Sequence, residues 1–333
     1  MDFVNISLDA MGGDNAPGEV VKGAVNAVND RENIRVYLTG PKARIDEELS
    51  KYSFDQERVI AVEAPEIITN DEQPVAAIRT KKKSSIVVGL KLIKEGACDA
   101  FISAGSTGAI LVGASVVAGK LKGVMRTPLA PLIPTKTGFS LLIDCGANVD
   151  ARAAHLVQFA KMGSVYMENI CNVEKPKVGL LNIGSEEEKG NALVKETNPL
   201  LSECRNINYI GYVEARDVIE GAADVVVCEA FAGNVLLKTY EGVGKVLLGE
   251  IKEGLMSSFR GKLGGLLVKK PLSSLKEKFN AQAYGGAPLL GLNGLVLKTH
   301  GNAGEKEIYN SIIQCIAFKE QNISEKILEA LSE

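Results

Sequence analysis

Apolar residues fall into two alternating kinds of block along the chain. Short runs at Phe3–Asp9, Ile34–Thr39, Val59–Glu63 and Ala100–Ser103 have too few polar positions for half-exposed strands and read as strands buried on both faces. Between them lie stretches with a helical period: from Pro17, pre-set for a first helical position, to about Asn29, then Lys42–Tyr52, Ser84–Glu95 and Thr107–Ala118. The rhythm continues with strands over Leu129–Pro134, Phe139–Asp144, Val178–Ile183, Tyr209–Val213 and Val225–Cys228, and helices over Ala151–Asn169 and Lys189–Leu201. This alternation predicts an α/β fold, a mostly parallel sheet covered by helices on both faces.

After Gly233 the pattern changes. Asn234 to about Phe259 reads as one long helix, Arg260–Pro271 as a basic and apolar link, and a second helix runs to about Asn280. We expect an αα-hairpin over 234–280, projecting from a single α/β body that spans 1–333. Strands near Ala287–Leu290 and Gly294–Lys298, then helices over Glu305–Glu320 and Ser324–Leu331, close the chain.

Composition narrows the function classes. A net charge of −3 argues against nucleic acid as a partner, which would favour a basic face. Six scattered cysteines without a C-x-x-C spacing read as reduced, buried thiols of a cytoplasmic protein. The start Met1-Asp2-Phe3 has no basic region of the kind that opens a secretory signal. Ala100–Gly119 is free of charge and long enough to span a bilayer, but its Ser103-Ala-Gly-Ser-Thr-Gly108 core reads as a polar loop between a buried strand and a buried helix. The 34 glycines, without a collagen period or linker tracts, point to turns and ligand loops.

Polar residues concentrate at the predicted carboxyl ends of strands, where parallel α/β sheets bind ligands. Five segments do so: Asp9-Ala-Met-Gly-Gly-Asp-Asn15, Ser103–Gly108, Asp144-Cys-Gly-Ala-Asn148, Asn182–Asn191 and Cys228-Glu-Ala-Phe-Ala-Gly-Asn234. Glycines let backbone N–H groups approach a ligand and the following helices offer positive ends, so five such loops on one edge suggest an anion or phosphate site. Nucleotide fingerprints fail: no G-x-G-x-x-G follows the first strand, and Gly113-Ala-Ser-Val-Val-Ala-Gly-Lys-Leu121 has the wrong glycine spacing for a P-loop. No zinc-protease or G-x-S-x-G motif occurs, and no metal or cofactor is expected. Cys145 is either a nucleophile or a small buried residue. His155 reads as a structural hydrogen-bonder, and His300, between a strand and a helix, as structural or functional. Asp9, Asp14 and Asp144 could orient donors, act as bases or cap helices. Lys189 and Lys238 are either solvated charges or cations for phosphate. The segment Phe259–Lys270 mixes apolar residues with four cations, which suits an anionic membrane surface or a dimer contact.

Several of these segments carry a resemblance: Asp9-Ala-Met-Gly-Gly-Asp-Asn-Ala-Pro17, Ser103–Ala109, Gly179-Leu-Leu-Asn-Ile-Gly-Ser-Glu-Glu-Glu-Lys-Gly-Asn191, Gly233-Asn-Val-Leu-Leu-Lys238, Tyr284-Gly-Gly-Ala-Pro-Leu-Leu-Gly291 and His300-Gly301. Together they resemble the bacterial acyl-acyl carrier protein:phosphate acyltransferases of phospholipid synthesis, in family order over nearly the whole chain. Cys228-Glu229 departs from the aspartate often found there in that family, so neither residue is assigned a role. The resemblance implies a fold like the isocitrate and isopropylmalate dehydrogenases, a homodimer, and transfer of a fatty acyl chain from acyl carrier protein to inorganic phosphate. It further implies contact with the inner face of the membrane, where a membrane acyltransferase would pass the acyl group to glycerol 3-phosphate. Phosphate is itself the nucleophile in such a reaction, so the protein must supply an anion cradle and oxyanion donors. On this basis Gly12, Gly13, Asp14, Asn15, Ser106 and Thr107 line the phosphate site. Lys189 holds phosphate, while Asn148, Asn234 and His300 polarise the thioester or assist the thiolate, Asp9 and Asp14 orienting their neighbours. Leu263, Leu266, Leu267 and Val268 become the membrane contact. The rivals are a metal- and NAD-dependent hydroxy-acid dehydrogenase on the same fold and a non-catalytic acyl carrier protein scaffold.

Overall fold

The computed structural model describes residues 3–278 and 285–332, the stretch 274–278 by its backbone alone. The end of the second hairpin helix at Asn280 and Tyr284 of the Tyr284–Gly291 segment lie outside the described residues. β1 (Val4–Asp9), β2 (Ile34–Gly40), β3 (Val59–Glu63) and β4 (Ala100–Ser103) alternate with α1 (Gly18–Asp30), α2 (Lys42–Leu49), α3 (Pro74–Thr80) and α4 (Ser85–Lys94). After β4, α5 (Thr107–Gly113) runs on through a π turn at Ala114–Ala118. The next group comprises β5 (Leu132–Thr135), β6 (Gly138–Ile143), α6 (Ala153–Asn169), β7 (Lys177–Asn182), α7 (Ala192–Glu203), β8 (Asn208–Glu214), α8 (Ala215–Glu220) and β9 (Val225–Val227). Then come the long α9 (Ala230–Met256), α10 (Phe259–Lys278), β10 (Ala287–Leu289), β11 (Leu295–Lys298), α11 (Glu305–Glu320) and α12 (Ile323–Ser332).

The strands form two sheets, in the orders β10-β11-β4-β1-β2-β3 and β5-β6-β9-β7-β8. All pairings are parallel except β10 with β11 and β5 with β6, each at a sheet edge. An antiparallel bridge between Leu129 and Leu289 links the two edges. Side chains alternate with period two, so each strand feeds two core layers. Ala100, Ile102, Leu141, Ile143, Val225 and Val227 pack on one side with residues of α1, α6 and α11. Phe101, Leu142, Val226 and Val296 pack on the other with residues of α4 and α5. Both layers run across both sheets, which sets their carboxyl ends side by side.

Most predicted elements recur within one or two residues; the departures have local causes. The hairpin link Arg260–Pro271 is not a link: α10 begins at Phe259, with Ser258 Oγ accepting from Gly261 N at 3.0 Å, and the turn is confined to Ser257–Ser258. Leucine and lysine are strong helix formers, and they outweigh the three glycines of the segment. The long helix starts at Ala230 rather than Asn234, because Glu229 caps it by accepting from Phe231 N and Ala232 N. Lys189 lies before its helix, not in it: Gly190 has φ +98°, and Asn191 caps α7 through Val194 N. Pro17 occupies the N-cap of α1 rather than its first helical position. The strand predicted from Leu129 begins at Leu132, and the short helices α3 and α8 went unread. The charge-free stretch is β4, a loop, α5 and the π turn, and no described helix is long and apolar enough to cross a membrane.

Candidate active site

Because β1, β4 and β11 are parallel neighbours, the loops that leave them meet at one edge. Asp14 N donates to Gly301 O at 2.7 Å, and Asn15 Nδ2 donates to Asn302 O and Ala303 O at 3.1 and 3.2 Å. Gly13, at φ +92°, fits where a Cβ would stand 2.7 Å from Gly301 O and 2.8 Å from Ala104 Cβ. Beneath these loops Asp9 is 1% exposed. Its carboxylate accepts from Ser103 Oγ at 2.6 Å and Met11 N at 3.1 Å, and Ser103 Oγ in turn accepts from Gly105 N at 3.0 Å. Burial raises the Asp9 pKa, and the hydrogen bonds pull the other way. Asp9 is thus a buried tie between two loops.

The facing edge is tied by Asp144, which is fully buried. Its two oxygens accept from the backbone N–H groups of Leu129, Gly146, Ala147 and Asn148 at 2.8–3.1 Å and from Asn148 Nδ2 at 2.7 Å. Asn148 Nδ2 also donates to Thr127 O at 3.0 Å. A carboxylate that collects so many donors fixes a loop in one shape. The start of α9 packs directly on it: any Cβ at Gly233 would strike Asp144 O. Asn234 Nδ2 donates to Cys145 O at 3.0 Å.

Between the two edges lies a cavity of about 290 Å³. Thr107, Asn234, Lys238, Lys298, Thr299 and His300 stand in its walls. Charges there form a chain: Lys238 Nζ is 3.1 Å from Glu241, His300 Nε2 is 3.7 Å from the same carboxylate, and His300 Nδ1 is 2.9 Å from Glu307. Glu307, 2% exposed, also accepts from His300 N at 2.8 Å, so it fixes both backbone and ring. Glu241 and Glu307 favour the imidazolium and push its pKa up to about 9, against the opposing effect of burial. Burial lowers Lys298 to about 8, with Glu307 resisting; its ammonium donates to Thr299 O. Thr299 Oγ1 is buried with no hydrogen-bond partner. Three cations facing two carboxylates, with an unmet hydroxyl and helix-start backbone nearby, make this a place for an anion.

The sequence-derived candidates divide accordingly. Thr107, Asn234 and His300 line the cavity. Gly12, Gly13, Asp14 and Asn15 build the wall behind the His300 loop, and Ser106 is the buried N-cap of α5. Asn148 is engaged behind Asp144. Lys189 is exposed on the Gly184–Gly190 turn and lines neither this cavity nor a larger apolar one beside it. Leu263, Leu266, Leu267 and Val268 are exposed on α10. His155 Nδ1 accepts from Arg152 N at 3.1 Å and closes the first turn of α6, a structural role. Burial, then Asp144, pushes the Cys145 thiol up, which suits a packed residue rather than a nucleophile. Lys298, Thr299, Glu241 and Glu307 were not singled out; a lysine ending an otherwise apolar strand was the signal available for Lys298.

Comparison with known proteins follows the same lines. The model of the family described as "Fatty acid synthesis protein" matches residues 4–326. A phosphate acyltransferase of Clostridium novyi (strain NT) is 48% identical over 97% of each chain. Among solved structures, a phosphotransacetylase from Streptococcus pyogenes superposes with a TM-score of 0.64 at 17% identity, covering 95% of this chain and 93% of that one. A 4-hydroxythreonine-4-phosphate dehydrogenase from Klebsiella pneumoniae gives 0.50 at 13%, covering 97% and 100%. These two likenesses are of fold.

Proposed function

From the premise that the chain belongs to the fatty acid synthesis protein family and is an acyltransferase acting on phosphate, we propose that it takes a fatty acyl group from acyl carrier protein and releases acyl phosphate. The observation that carries this reading is the cation-lined cavity where the strand ends of both sheets meet. Hydrogen phosphate held there is the nucleophile. One of its oxygens attacks the thioester carbonyl carbon, a tetrahedral oxyanion forms, and the C–S bond breaks. The proton of hydrogen phosphate ends on sulfur, so the products are acyl phosphate and free thiol, with no further reactant. Lys238 and Lys298 offset the phosphate charge. Thr107 and Thr299 orient its oxygens, and Asn234 and His300 meet the charge that develops on oxygen and sulfur. Gly12, Gly13, Asp14, Asn15, Ser106 and Asn148 act by holding the walls. Lys189 stands outside the cavity and takes no part in the step. The family's acyltransferase chemistry leaves the dehydrogenase and scaffold readings without support.

Two surfaces support the partners. Along α9, Val243, Val246 and Leu247 are each more than half exposed, an apolar stripe that fits a second copy of the chain. On α10, Leu263, Leu266, Leu267 and Val268 stand beside Arg260, Lys262, Lys269 and Lys270, a combination suited to an anionic membrane. There, at the inner face of the membrane, acyl phosphate would pass to a membrane glycerol-3-phosphate acyltransferase. The test is direct: with acyl carrier protein thioester and phosphate, acyl phosphate and thiol should appear in equal amounts. Thiol release that ignores phosphate would overturn the reading.

A further inference from the structure

A larger cavity, of about 580 Å³, lies on the other side of α9. Its walls are aliphatic: Leu156 of α6, Leu180 of β7, Leu193 and Val194 of α7, Val235 and Leu236 of α9. Two of its polar residues are already engaged on backbone N–H groups, Glu229 at the start of α9 and Asn191 at the start of α7. Asn182, also in its lining, has Oδ1 buried without a partner. Neighbouring residues of α9 line different cavities: Asn234 and Leu237 face the cation-lined one, Val235 and Leu236 the apolar one. Consecutive Cα atoms are about 3.8 Å apart, so the two spaces adjoin across a single helix.

We propose that this apolar cavity receives the hydrocarbon chain of the acyl donor and so sets chain-length preference. The proposal rests on the acyl-transfer reading. An acyl group must present its carbonyl to the anion while its chain leaves water, and the two requirements call for a polar and an apolar space side by side. The apolar space falls within the ~300–1,000 Å³ typical of small-molecule sites. Ile183 and Phe231, 78% and 65% exposed, form an apolar rim of the kind that admits a chain from solvent.

Val194→Phe and Thr239→Phe narrow the cavity from one half-buried and one exposed position in its wall. In wild type, kcat/KM should climb by about fourfold per added methylene until the chain fills the space. In either variant, kcat/KM with a palmitoyl thioester should fall about tenfold or more, while that with a butyryl thioester and the phosphate KM hold within about twofold. Equal losses with both donors, no loss with either, or a changed oligomeric state with unchanged chain preference would overturn the assignment, the last giving the cavity to a second copy. Titration with a non-reactive palmitoyl thioether separates the two levels of the claim. Wild-type binding that Val194→Phe abolishes, with no acyl phosphate formed from any donor, removes the functional reading and keeps the cavity assignment; equal binding to both proteins, or to neither, removes the cavity assignment.

Discussion

In the strand-end cavity each charge answers to a partner. Lys238 faces Glu241, His300 sits between Glu241 and Glu307, and Lys298 is held against Thr299 O. Along the α9–α10 arm the reverse holds. Val246, Phe259, Leu266 and Leu267 are 61%, 84%, 70% and 80% exposed, and no residue of α9 beyond Gly233 is buried. The first region is a network in which removing one member leaves the others with unmet charge or hydrogen bonds. The second is a surface whose apolar contributions add roughly by area. Substitutions should therefore be catastrophic and local in the cavity, and graded in the arm.

The largest effect is expected at Lys298. Lys298→Met keeps the length of the side chain and removes the buried cation. Loss of one preorganised charge-stabilising group costs about 10²–10³ in rate, and kcat/KM for phosphate should fall by that order with the fold intact by circular dichroism. A loss under about threefold would show that the cavity is not where the anion sits, since even a modest charged contact exceeds that.

The arm should give the opposite result. Leu266→Glu with Leu267→Glu removes two exposed apolar groups, each worth about 1.5–3 kcal/mol when buried, and adds charge that an anionic surface repels. Sedimentation with phosphatidylglycerol vesicles should show binding reduced by about tenfold or more, with activity in solution unchanged. Equal loss of vesicle binding and solution activity would erase the contrast between the two regions.

The contrast also explains what the sequence revealed. The bounds of strands such as Val59–Glu63 and Ala100–Ser103 were legible to the residue, because apolar runs between polar breaks have few alternatives. Burial on both faces holds only for Ala100–Ser103, since Val59–Glu63 ends its sheet and buries Val59 alone. The five strand-end loops were legible for the same reason. Which loop residues face a ligand was not. Gly12 and Asn15, read in sequence as phosphate contacts, also tie loops together, a matter of β1, β4 and β11 lying side by side. The Glu307–His300 pair joins the first turn of α11 to the loop after β11, and Glu241 reaches it from α9. No local period encodes such a meeting. In α10, the mixed basic and apolar run was read as a link between helices, whereas its leucines and lysines sustain one helix.

The smallest effect is the most specific to the network, and it concerns stability. His300 has a folded pKa of about 9 against an ordinary value near 6.5, because Glu241 and Glu307 favour its charged form. A base whose pKa rises on folding contributes stability that is fully present below the unfolded value and is lost as pH climbs through the folded one. The difference in Tm between wild type and His300→Gln should therefore be greatest below about pH 6.5, shrink steadily above it, and level off past about pH 9. Lys298 acts in the other direction. Its pKa is lowered to about 8, so deprotonation above that value relieves a buried charge in both proteins and largely cancels in the comparison. A Tm difference that stays flat from acid to alkaline pH would mean that His300 is neutral between its two carboxylates. The cavity would then be short of one of the three cations that line it.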